Sequence, residues 1–110
     1  MLAMSGDARI FLFVEAVDMR KGFEGLSLVV EMHFADELTS GAYFVFLNRR
    51  RDRMKVLYWD ADGLVIWYKR LERGAFHFTQ IKNKLLDRRS FLMLLEGIVP
   101  KRLHKRYTIT

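Results

Sequence analysis

From Asn48 to Lys55 the chain reads Asn-Arg-Arg-Arg-Asp-Arg-Met-Lys, which sets five cations, Arg49, Arg50, Arg51, Arg53 and Lys55, against the single carboxylate of Asp52. Side chains of one sign packed this closely repel, and solvent or an outside anion must relieve the repulsion. Phosphate is the natural anion, because the planar guanidinium fork matches phosphate oxygens and each neutralised phosphate releases condensed counterions. Lys69, Arg70 and Arg73 further along the chain, Arg20 and Lys21 before it, and the cations between Lys101 and Arg106 can extend such a footprint. The competing readings are a solvated turn and an acidic protein surface as partner.

Aromatic residues interleave with these cations: Tyr43, Phe44, Phe46, Tyr58, Trp59, Trp67, Tyr68, Phe76 and Phe78. On an open sheet such rings can stack bases. In so short a chain most strand aromatics belong to the core, and Trp59 and Trp67 are the expected exposed exceptions. Asp18, Asp60, Asp62, Glu72 and Glu96 raise the question of a metal-dependent nuclease, since hard cations need several converging oxygens. Asp60 and Asp62 already fit a turn, however, and His33, His77 and His104 have no ligand spacing. Neither a nucleophile elbow nor a Gly-rich phosphate loop is present. The expectation is a protein without catalysis, metal or cofactor.

The elements that must position these residues follow from periodicity. Ala42 to Leu47, Lys55 to Trp59 and Leu64 to Tyr68 are rich in β-branched and aromatic residues and read as three consecutive strands. The last two are joined by Asp60-Ala61-Asp62-Gly63, a hairpin turn in which Gly63 is expected to take positive φ. Alternation puts Val56, Tyr58 and Asp60 on one face and Lys55, Leu57 and Trp59 on the other. The apolar run Arg9 to Val14 predicts a first strand buried on both faces. A helix is predicted from about Lys21 to Leu38, capped by Asp18, with Glu24, Ser27 and Glu31 on its wet face and Leu26, Val29, Val30 and Phe34 inward. Gly22 and Gly25 within it point to a close contact. Ala75 to Thr79 reads as a short edge strand. Asp87 caps a final helix, Arg88 to Glu96, in which Phe91, Leu94, Leu95 and Ile98 recur on one face; Gly97 and Pro100 end it.

The totals agree with one α+β domain spanning residues 1–110. The expected architecture is a mostly antiparallel sheet of four to five strands, one long helix packed on it, a short C-terminal helix, and a basic, flexible tail over residues 100–110. With 110 residues, half of them hydrophobic, the chain can bury a real core. The absence of cysteine excludes disulfides and thiolate chemistry and fits a reducing, cytoplasmic setting. Neither a signal peptide nor a membrane span is legible. Net charge is +6, but residues 1–48 hold three basic against seven acidic groups, whereas residues 49–110 hold sixteen against six. A basic half points to a polyanion, and nucleic acid leads.

Several ordered stretches resemble a known family. They are Asp18-Met19-Arg20-Lys21-Gly22-Phe23-Glu24-Gly25-Leu26, Phe44-Val45-Phe46 after Ser40-Gly41, the run from Asn48 to Asp60, Asp62-Gly63, Tyr68 to Gly74 and Leu94-Leu95-Glu96-Gly97-Ile98. Together they are similar to the TnpB accessory protein of insertion-sequence family sixty-six, which is distinct from the RNA-guided nuclease of the same name. The resemblance implies a small protein of a mobile genetic element, needed beside the transposase for transposition, a form of DNA recombination, and brings no catalytic residues with it. The reading is therefore a non-catalytic accessory factor that binds DNA of the element through its basic turn, contacts the transposase, or both. The alternative is a protein–protein adaptor without DNA contact.

Overall fold

The computed structural model describes Met4, residues 6–78 and residues 84–96. Seven elements follow one another: β1 (Ile10–Phe13), α1 (Phe23–His33), β2 (Tyr43–Leu47), β3 (Arg53–Asp60), β4 (Gly63–Arg70), β5 (Lys84–Leu86) and α2 (Arg88–Leu95). The strands form one sheet in the order β4-β3-β2-β1-β5. The meander β2-β3-β4 is antiparallel, as its turn chemistry requires, and β5 runs antiparallel to β1. The expectation of a mostly antiparallel sheet is nonetheless corrected. β1 and β2 run parallel, Ile10 opposite Tyr43 through Phe13 opposite Phe46, so the sheet is mixed. A parallel pair needs a crossover connection, and α1 supplies it.

The central strands are apolar on both sides because both faces of the sheet are covered. All five residues of β2 are buried. One face carries α1: Phe13, Leu26, Val30, Phe44, Phe46 and Leu57 form its core, with Phe11 and Phe34 packed alongside. The rings are in direct contact, Phe13 stacked on Phe46 at 4.8 Å between centroids and Phe11 against Phe34 at 4.4 Å. The other face is closed by Phe76 and by Phe91, Leu94 and Leu95 of α2, over Ile10, Leu12, Val45, Leu47, Met54 and Val56. As expected, Asp87 caps α2, its side chain accepting from the Ser90 amide at 2.7 Å.

Other expectations change. The helices are 11 and 8 residues long, not one long and one short. α1 stops at His33, well before Leu38, because Phe34 leaves helical geometry and inserts among Phe11, Phe13 and Phe44. Burying that ring outweighs one more turn of helix. The cap is Gly22, not Asp18, and no side chain bonds into the first turn. Of the two glycines only Gly25 is close to anything, and its neighbour is the flexible Lys21 side chain at 3.1 Å from a notional Cβ. Ser27, assigned to the wet face, is half-buried. In the hairpin the left-handed residue is Ala61, at φ 58°, rather than Gly63. Residues 75–78 form no strand, and the edge position beside β1 is taken by β5. Thr79, Ile98, Pro100 and the basic tail lie outside the described residues.

Candidate nucleic-acid interface

The basic turn is built, not loose. Asn48 organises it: its side-chain oxygen accepts from the amides of Asp52 and Arg53, each at 3.0 Å, and its side-chain nitrogen donates to Asp52 at 2.7 Å. That last bond, with Arg50 and Arg53 nearby, holds the Asp52 carboxyl below its ordinary range. Arg49 and Arg50 are exposed and form no ion pair with the described residues. They border an open groove with Val17, Asp18, Met19 and Arg53. The 17–21 segment reaches this position because the Val17 amide donates to the Leu47 carbonyl at 3.0 Å.

Arg20 enters the same corner from that segment. Asp18 grips its guanidinium through both carboxylate oxygens, the shortest contact being 2.6 Å, and also accepts from its amide. Arg20 lowers the Asp18 carboxyl to about 2, and Asp18 raises the guanidinium in return. Lys21 is exposed beside it. On the other side of Arg53, strand register sets Arg70 directly opposite. Arg53 donates to the Tyr68 hydroxyl at 3.2 Å, and Arg70 pairs with Glu72 at 3.1 Å. A second groove, lined by Arg53, Tyr68, Arg70 and Glu72, thus continues the first. Cations from three separate stretches of chain converge at one end of the sheet on the α1 face.

Three residues expected in the footprint, Lys55, Arg51 and Lys69, go elsewhere. Lys55 is only 8% exposed, and its ammonium donates to the carbonyls of Met19 at 2.7 Å and Lys21 at 2.8 Å, with the Tyr68 ring 4.8 Å away. It pins the segment that carries Arg20 and has no open approach for a phosphate. Arg51 takes positive φ, gives its carbonyl to the Phe76 amide and lays its guanidinium 4.3 Å from the centre of the Phe78 ring. Lys69 points to the α2 face, where it donates to the Leu95 carbonyl at 3.3 Å, a position that suits a cation at a helix C-terminus. Arg73 is exposed in the turn after β4.

Trp59 and Trp67 are both half-buried, and Trp67 packs on the α2-side core. The exposed ring at the corner is Tyr68, 47% accessible. Its place was readable in the register, since a strand partner directly opposite Lys55 must share the cationic face. Asp60 and Asp62 sit at the far end of β3 and β4, away from the arginines. Among the described residues no three acidic or histidine side chains gather as a metal site, and no helix is long and apolar enough to cross a membrane.

The fold and this corner define a small α+β protein whose cations meet on one sheet end. The family model described as IS66 Orf2 like protein matches residues 8–105, and the chain belongs to that family, whose role is accessory to transposition of the element. It is 33% identical over 100 residues to the uncharacterized protein y4jC of Sinorhizobium fredii, covering 89% of this chain and 86% of that one. A second protein of that organism, y4hO, is 34% identical over 76 residues, covering 69% and 66%. No solved structure matches the chain.

Proposed function

We propose that this protein is a non-catalytic accessory factor of IS66 transposition that binds nucleic acid, in the first place DNA of the element, through Arg49, Arg50 and Arg53 with Arg20, Lys21 and Arg70 beside them. The observation that carries the reading is the convergence of Arg49, Arg50, Arg53 and Arg70 on two adjoining grooves, beside a loop already ordered by Asn48, with Arg20 held by the groove residue Asp18. An ordered loop loses little entropy on binding, so more of the phosphate attraction is left as affinity. The half-exposed ring of Tyr68 offers a stacking surface to an unpaired base at the same place.

A second reading is favoured by a different surface. On the outer side of α1, Leu28 and Met32 are 59% and 73% exposed, and Phe23 is 51% exposed at the start of the helix. Leu28 and Met32 form an apolar face of the kind that docks a partner protein such as the transposase. One experiment separates the two. Arg49→Ala/Arg50→Ala leaves the loop's hydrogen bonds intact and is expected to weaken duplex and single-strand binding at low salt at least tenfold, by removal of two phosphate contacts. Unchanged nucleic-acid affinity with loss of transposase capture would establish the adaptor instead.

A further inference from the structure

The two edges of the sheet are unequal. On one side β5 is three residues long, short enough to offer a second chain little to pair with. On the other, β4 is eight residues long and follows β3 without a bulge from Gly63 to Arg70. Among the described residues nothing pairs with its outer side. Half of its amides and carbonyls therefore point outward, as antiparallel alternation demands. None of the usual protections interrupts Leu64-Val65-Ile66-Trp67-Tyr68: there is no proline and no charge.

Charge stands only at its ends, and with opposite signs. Asp60 and Asp62 precede the strand, whereas Lys69 and Arg70 close it. A strand that is acidic at its start, apolar in the middle and basic at its end is complementary to its own reverse. We propose that the chain dimerises by antiparallel pairing of β4 with β4 of a second copy, about a two-fold axis at Ile66. In that register Val65 lies opposite Trp67, Leu64 opposite Tyr68, and Asp62 opposite Arg70. Each pair occurs twice, as an isologous interface requires. The first is an aromatic–β-branched pair, and the last brings opposite charges together. Shifting the register by two residues toward the C-terminus would set Leu64 against Arg70 and Asp62 against Glu72. An aromatic–β-branched pair survives as Ile66 opposite Tyr68, but the opposite-charge pair is replaced by two carboxylates facing each other.

The five-stranded sheets then join into one of ten. Both copies present α1 on the same side, and their Arg53–Arg70 corners stand roughly 26 Å apart, eight strand residues at ~3.3 Å each. The dimer does not depend on what those corners bind, and its test reads mass alone.

Sedimentation equilibrium of the full chain between about 10 and 300 µM, a range suited to a small strand-to-strand interface, is expected to show the 13.1 kDa monomer giving way to twice that mass. Asp62→Arg and Arg70→Asp change exposed side chains, so folding is retained, and each acts twice across the axis. Either substitution alone is expected to weaken association about tenfold, and the double swap Asp62→Arg/Arg70→Asp to restore it. A monomer at every concentration would overturn the proposal. So would a dimer that neither substitution moves, or a double swap no tighter than the single changes.

Discussion

Lys55→Met tests the central structural claim about the cationic corner, that this lysine holds chain rather than phosphate. The substitution keeps most of the aliphatic stem, which lies between Tyr68 and the core beneath α1, and deletes the ammonium. Two hydrogen bonds go with it, to the carbonyls of Met19 and Lys21. Bonds to a charged donor contribute ~1.5–3 kcal/mol each. The ammonium no longer has to be desolvated, and the carbonyls lie in a surface turn that water can reach, which returns part of the loss. The expected net cost is about 2–4 kcal/mol, which for a chain of this length lowers Tm by roughly 10–20 °C. Urea unfolding followed by tryptophan fluorescence gives the free energy directly, with Arg53→Met as the control that removes a charge from a more accessible neighbour. Wild-type stability in Lys55→Met would refute the argument. If nucleic-acid affinity fell while stability held, Lys55 would have to be returned to the phosphate-binding set.

Two further outcomes follow from the same geometry. With Arg49, Arg50 and Arg53 open and Arg20 and Arg70 engaged by carboxylates, duplex binding is expected to neutralise about three to five phosphates. Raising salt from about 50 to 200 mM then costs roughly 40- to 500-fold in affinity, and a flat titration would count against the corner as the binding surface. Asp18 titrates at about 2 in the folded chain and near 3.8 without its partner. Because the folded value is the lower one, the stability this clamp gives is present above the higher value and lost as pH falls toward the lower. Unfolding followed from pH 5 to pH 2 should therefore show a loss in wild type that Asp18→Asn lacks. Parallel acid profiles for the two proteins would mean the Asp18–Arg20 pair contributes nothing.

What could be read beforehand was mostly local. The meander, the charged turn between its first two strands and the Asp87 cap depend on residues a few positions apart, and each stands where its sequence pattern put it. The burial of Lys55 was also within reach. Alternation had already placed it beside Leu57, and a lysine sharing a face with core leucine under a helix must find acceptors. The parallel pairing of β1 with β2 lay in the uninterrupted apolar runs Ile10–Phe13 and Tyr43–Leu47, since strands covered on both faces lose the in–out alternation of a meander. The strand–helix–strand order pointed the same way. What could not be read was decided by packing between distant parts: the early end of α1 at Phe34, the choice of Lys84–Leu86 over residues 75–78 as the edge strand, and the turning of Arg51 toward Phe78. In each case a ring or a strand partner far along the chain outweighs the local preference.

β1 lies between β2 and β5, so one of its neighbours arrives some thirty residues later and the other only at Lys84–Leu86. During synthesis the α1-side layer can close as soon as β2 and β3 are available. Ile10 and Leu12 must wait for Phe91, Leu94 and Leu95. Through that interval the nascent chain displays half of its eventual interior to water, with β1 as a bare strand edge. Folding of this sheet is therefore gated by the emergence of its final quarter, and slow translation there would prolong the stage at which the chain is most prone to aggregate.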